Sequence, residues 1–293
     1  MLKRTITGFI ILVVLAGFIA LRLVSQLFFD ALVLALICLA VFEVGNVIKA
    51  QNQTFYVPLV MALGVFSWAA FRYLYNPVLC IMLCLVVVFL VSFIFEIVSI
   101  NKIKDEGEVN NQKLNEKTNN TMFVAFYPVV LISSFFGLNY LGVNLGFVAI
   151  ILTFMISMFT DVGAYCFGIA FGRNSKHKLA PAISPKKSVV GAVFGMVFGL
   201  VAGGLGWLFF YHLGWFGALT KLTLSKSIII FALVGLFGSI ATQLGDLYAS
   251  AVKRKVGLKD FSNLLPGHGG IMDRLDGEMF CASLVFIVFA LFI

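Results

Sequence analysis

Between Ser250 and Asp276 the chain reads SAVKRKVGLKDFSNLLPGHGGIMDRLD, a polar run in an otherwise apolar sequence. The run gathers Lys253, Arg254, Lys255, Lys259, His268 and Arg274 with Asp260, Asp273 and Asp276. Basic side chains hold phosphate, and paired carboxylates hold a hard divalent cation such as Mg²⁺. Asp273 and Asp276 are spaced i,i+3, so a helix beginning here carries both on one face. Gly269 and Gly270 let the backbone approach a ligand closely or take positive φ. A loop that only fixes membrane topology requires Lys and Arg, but not clustered Asp, His and Gly-Gly. These residue types suit phosphate chemistry at a membrane surface.

Other residues bear on the same chemistry. Asp246 stands in QLGDLYAS, just ahead of the polar run, and a carboxylate at membrane depth is costly enough to need a partner or a function. With Asp273 and Asp276 it makes a constellation of three carboxylates flanking one loop, the plainer reading being helix-cap Asp residues paired to Lys253 or Arg254. Asp161 stands in TDVGAY, with Tyr165 one helical turn later on the same face, within reach of a hydrogen bond. It lies roughly 16 Å deep if its helix ends near Gly172, which points to a polar cavity or to a buried Asp–Tyr pair. The segment 172–187 carries Arg173, Lys176, Lys178, Lys186 and Lys187. Its end, Ser184-Pro185-Lys186-Lys187-Ser188, offers ammonium groups and hydroxyls to phosphates, or lysines that serve topology alone. Glu43 and Glu96 are weaker candidates near helix ends, where side chains reach water. No GxGxxG, Walker A or Ser-His-Asp arrangement is evident.

The elements that position these residues are membrane helices. The 293 residues are 61% hydrophobic and 12% charged, with mean hydropathy +1.05. A soluble domain of this size could not hide so much apolar surface. Long apolar runs between short polar ones indicate helices and not a barrel. The fold class is therefore an all-α polytopic integral membrane protein of about nine helices, at about 5–22, 28–48, 55–74, 77–100, 121–138, 143–171, 188–212, 227–248 and 277–293. The first is read as an uncleaved helix and not a signal peptide. The last is short for a ~30 Å hydrocarbon core. Residues 1–120 form a unit of N-terminal helices ending in a polar loop (101–120) without evident chemistry, and 121–293 the catalytic unit. Gly191, Gly195, Gly199 and Gly203 stand at small-xxx-small spacing, which serves close helix packing. The cysteines, Cys38, Cys80, Cys84, Cys166 and Cys281, all lie in apolar runs without metal-binding spacing and read as packing residues.

Charge orients the array. With nine spans, Lys3, Arg4, Lys49, the 172–187 segment and the 250–276 run share one face, and the other holds Arg22, Arg72, Lys221 and Lys226. The positive-inside rule makes the first face cytoplasmic, with the N-terminus there and the C-terminus outside. A formal charge of +8 then indicates cytoplasmic loops and anionic lipid headgroups, and no nucleic acid partner.

The 250–276 run closely resembles the hallmark of the phosphatidate cytidylyltransferases, or CDP-diacylglycerol synthases. That pattern runs Ser-x-apolar-Lys-Arg, Lys-Asp, Pro-x-His-Gly-Gly, then Asp-Arg-apolar-Asp. It is met by Ser250, Lys253, Arg254, Lys259, Asp260, Pro266, His268, Gly269, Gly270, Asp273, Arg274 and Asp276. Ser184 to Ser188 with Gly191 resembles the second motif, Ser-Pro-x-Lys-Thr-x-Glu-Gly, except that Val190 replaces its Glu. Asp161, Tyr165, Gly168 and Gly172-Arg173 resemble the segment before it. In motif terms the likeness covers about residues 160–277, whereas the first ~120 residues match only in general helical character.

The resemblance implies that CTP and phosphatidic acid give CDP-diacylglycerol and pyrophosphate, for phospholipid biosynthesis. It implies Asp246 and Asp273 as metal ligands for Mg²⁺, with a second cation left open, and Asp276 as a ligand or its neighbour. Lys253, Arg254, Lys259, Asp260, His268 and Arg274 are then catalytic with Asp276. Asp161, Tyr165, Arg173, Ser184, Lys186, Lys187, Ser188, Ser250, Gly269 and Gly270 bind substrate. A homodimer and a bacterial inner-membrane location complete the expectation. The rivals are a transporter or channel, and a Mg²⁺-dependent phosphotransferase acting on a polyprenyl phosphate.

Overall fold

The computed structural model describes residues 2–49, 56–74, 128–129, 131–172, 177–181, 183–215, 219, 222–255, 258–265, 267 and 269–293. Its helices are α1 (Leu2–Arg22), α2 (Gln26–Lys49), α3 (Tyr56–Tyr73), α4 (Ser134–Tyr140), α5 (Val143–Ala170), α6 (Val189–Gly206), α7 (Leu224–Lys255) and α8 (Met272–Phe292). A π-helical turn, Trp207–His212, continues α6. Among the described residues, five segments are long and apolar enough to cross a membrane: Gln26–Val44, Val143–Ala170, Val189–His212, Leu224–Arg254 and Met272–Phe292. The expected span at 77–100, the 101–120 loop and the start of the 121–138 span lie outside the described residues.

Small residues let α5, α6 and α7 approach closely. Gly191 and Gly195 face α5: a Cβ on Gly191 would sit 2.8 Å from the Ala164 carbonyl, and one on Gly195 3.3 Å from that of Thr160. Gly199 and Gly203 face α7, where a Cβ on Gly203 would stand 2.4 Å from the Phe231 carbonyl. The glycine stripe is therefore a packing device, as its spacing predicts.

A polar cluster ties the first helices to this core. The Arg22 guanidinium, buried at the end of α1, donates to Asn139 Oδ1 (2.6 Å) and to the carbonyls of Val143 (2.6 Å), Asn139 (2.9 Å) and Gly142 (3.0 Å). Asn139 Nδ2 donates to Asp30 Oδ1 (2.8 Å), and Trp68 Nε1 and Tyr140 Oη donate to Asp30 Oδ2. Each buried polar group thereby has a partner, as an apolar surrounding demands.

Three elements differ from expectation, and all three differences lie at the polar end. Part of the basic segment after α5 is an antiparallel hairpin, β1 (Lys178–Ala180) with β2 (Ser184–Ser188). Its strands are too short and too charged to show a period-two pattern, and Pro185 is tolerated because a two-stranded sheet is all edge. Helix α7 runs to Lys255 and not to about 248, because Leu247–Arg254 holds good helix formers and no breaker. Helix α8 begins at Met272 and not at about 277, since its first turn is polar. At 21 residues it is about 32 Å long, with charged residues in its first turns and the apolar run after them.

Candidate active site

Where α5, the hairpin, the start of α6 and α7 meet, they enclose a cavity of about 790 Å³. Asp161, Tyr165 and Gly168 form its α5 wall, while Lys178, Lys186 and Lys187 come from the hairpin. Ser188 and Gly191 start α6, and Gln243 and Asp246 come from α7. The Lys187 ammonium is paired with the Asp246 carboxylate, so the hairpin is pinned onto α7 across the cavity. Ser250, one turn beyond Asp246, donates to its Oδ1 at 3.4 Å. Asp161 and Asp246 face the same cavity as Lys178, Lys186 and Lys187. The site thus presents anionic and cationic groups side by side, the arrangement needed for a phosphate with its counterion.

The loop between α7 and α8 is built around Asp273. Its Oδ1 accepts from Lys253 Nζ at 2.6 Å, and its Oδ2 from the amides of Phe261 (2.9 Å) and Gly270 (2.8 Å). Both side chains of the ion pair are buried, Lys253 at 10% and Asp273 at 4% exposure. Lys253 also lies over the Phe261 ring, 5.4 Å from its centre. Gly269 has φ +79°, and its amide-to-carbonyl neighbour Leu265 donates to it at 2.8 Å, closing the turn. A side chain at Gly269 would collide with the Asp273 carboxylate as well as strain the backbone. Arg254 donates to the Leu258 carbonyl (3.0 Å) and the Ile183 carbonyl (3.4 Å), joining loop to hairpin.

Of the residues singled out in the sequence, Asp161, Tyr165, Lys186, Lys187, Ser188 and Asp246 line the cavity. Tyr165 is 70% exposed, and among the described residues no hydrogen bond joins it to Asp161. Ser184 is half-buried on β2. Ser188 is buried, and its Oγ accepts from Gly191 N at 3.1 Å, so it caps α6. Lys259, Asp260 and Arg274 are exposed near the loop, and Asp276 follows in the first turns of α8. Arg173 and His268 lie outside the described residues.

Carboxylate donors suit a hard cation; Asp273, one of those expected to bind it, is also held by Lys253 and by two backbone amides. Among the described residues no three His, Cys, Asp or Glu side chains converge to hold a metal alone. Mg²⁺ needs only one or two carboxylates when substrate phosphates and water complete its shell. Asp246 and Asp161, which both line the cavity, are the carboxylates that could offer such ligands.

Sequence reasoning passes over Gln243 and gives Glu43 too little weight. Gln243 lines the cavity and donates to the Ala192 carbonyl at 3.2 Å. Glu43, read as a weak candidate, accepts from Ser262 Oγ and from the amides of Ile271 and Met272. Its signal is a carboxylate within an apolar helix, which demands buried donors but does not say where they are.

A model of the cytidylyltransferase family matches residues 2–292, so the chain belongs to that family. It is similar to the phosphatidate cytidylyltransferases of Mycobacterium bovis and Staphylococcus aureus strain COL. The first is 42% identical over 134 residues, covering 45% of this chain and 38% of the relative. The second is 39% identical over 139 residues, 47% of this chain and 48% of the relative. The matched stretch therefore spans half or less of those curated relatives' length.

Proposed function

We propose that this protein transfers the cytidylyl group of CTP to phosphatidic acid, releasing pyrophosphate. The observation that carries the reading is the Lys187–Asp246 pair, which brings two motif segments distant in sequence to one cavity. A phosphate oxygen of phosphatidic acid attacks the α-phosphorus of CTP. The bond from that phosphorus to the β-phosphate oxygen breaks, and its electrons leave with pyrophosphate. The attacking oxygen is already anionic near neutral pH, so no strong base is required. The residues' task is to bring two polyanions together and hold them in line.

In this reading Lys186 and Lys187 neutralise phosphates from the hairpin, with Arg254, Lys259 and Arg274 doing so from the loop side. Asp246 would hold a hydrated divalent cation in the cavity, with Asp161, which lines it too, able to contribute a second carboxylate. Mg²⁺ held there would offset phosphate charge as pyrophosphate departs. Asp273 organises the loop. The exposed apolar side chains of Ile169 and Leu179 at the cavity wall suit acyl chains arriving from the bilayer. The same reading carries nine spans, a cytoplasmic N-terminus and site, a bacterial inner-membrane location and a homodimer. The ends of the described helices support that topology: Arg22, Asp30 and Tyr140 meet at one end, and Glu43, Lys253 and Asp273 at the other.

Pyrophosphate release by the purified protein in detergent tests the proposal. Release should require CTP, phosphatidic acid and Mg²⁺, and should fall about 100-fold or more in Asp246→Asn. Folded protein that releases none under any of these conditions overturns it.

A further inference from the structure

The loop of the site is held by a second carboxylate, and it comes from the other half of the chain. Glu43, near the end of α2, is 1% exposed. Its Oε1 accepts from Ile271 N at 2.8 Å and Ser262 Oγ at 2.7 Å, and its Oε2 accepts from Met272 N at 2.9 Å. Helix α8 has no side-chain cap of its own at Ile271. Glu43 therefore satisfies donors at the start of α8, with its negative charge at the positive end of the helix dipole. Gly270 makes room for it, because a Cβ there would lie 2.5 Å from Glu43 Oε2.

The two carboxylates grip the same two limbs of the loop. On the limb leaving α7, Phe261 N bonds Asp273 and Ser262 Oγ bonds Glu43. On the limb entering α8, Gly270 N bonds Asp273, while Ile271 N and Met272 N bond Glu43. Asp273 is tied to α7 through Lys253, and Glu43 ties the same loop to α2. Without Glu43, three buried donors lose their acceptor and the first turn of α8 loses its cap. That turn carries Asp273 and Arg274, and Asp276 follows at once.

We infer that Glu43 is a positioning residue for the transfer reaction: it fixes the loop between α7 and α8 and the start of α8, the turns that carry Asp273, Arg274 and Asp276. The catalytic part of this inference rests on the cytidylyl-transfer reading; the structural part does not.

The test uses the full-length protein in detergent with Glu43→Gln, which keeps the shape but turns an NH₂ toward backbone donors. Hydrogen exchange in peptides spanning 261–272 should quicken about tenfold, with α5, α6 and α7 unchanged. In the pyrophosphate assay kcat should fall about 10- to 100-fold while the KM for phosphatidic acid stays near the wild-type value. Unchanged exchange at 261–272, or exchange that quickens equally throughout the helices, overturns the inference. Faster local exchange with unchanged kcat overturns its catalytic part. A wild-type protein that releases no pyrophosphate counts against the transfer reading, and the exchange result then decides the positioning role by itself.

Discussion

Lys253 and Asp273 are the most deeply placed ion pair of the site, and their worth depends on each other. Losing the ammonium leaves a carboxylate at 4% exposure with only two amide donors. Lys253→Met is expected to cost about 3–5 kcal/mol of stability, read from unfolding in detergent. Lys253→Met combined with Asp273→Asn should cost much less than the sum of the two, because the uncompensated charge is gone. The residue types around this pair were legible in the sequence, since Lys, Asp, His and Gly-Gly at fixed spacing have little use in an idle loop. What each carboxylate holds was not. That Asp273 accepts from Lys253 and from two loop amides depends on which amides the loop turns inward, and spacing says nothing of that.

Helices were legible where apolar character alone defines them, and their polar ends were not. The extra turns of α7 and α8 carry Ser250, Lys253, Arg254, Asp273, Arg274 and Asp276, so part of the motif expected in a loop lies on helices. A hydropathy boundary falls where side chains become polar, while a helix ends where its backbone donors and acceptors find other partners. The glycine stripe of α6 was readable from its spacing and yields a paired prediction. Gly203→Ala drives a Cβ to 2.4 Å from the Phe231 carbonyl, whereas at Gly204 nothing lies within 4 Å. Gly203→Ala should destabilise by about 1–3 kcal/mol. Gly204→Ala should be neutral or stabilising by up to about 1 kcal/mol. Thermal unfolding of the two proteins side by side checks both.

Across the whole molecule, the fold joins two halves that the sequence presents as separate. Residues 1–120 carry no motif, and nothing local marks Arg22, Asp30 or Glu43 as partners of residues more than a hundred positions away. Only tertiary packing creates those pairs. Arg22→Met should cost about 3–5 kcal/mol in unfolding measurements, because Asp30 and Asn139 lose a buried cation. Pyrophosphate release per folded molecule should stay near wild type, since this cluster lies at the end of the helices away from the cavity.

Helix α2 is clamped twice, by Asp30 near one end and by Glu43 near the other. The 13 positions between them span about 20 Å along the helix. A helix held at two depths cannot slide along its axis or rotate without breaking one set of bonds. It works as a ruler between the two faces of the molecule. When lipid chains lengthen or shorten around it, the adjustment falls to the surrounding bilayer or to tilt of the whole array, and the loop at its Glu43 end keeps its depth.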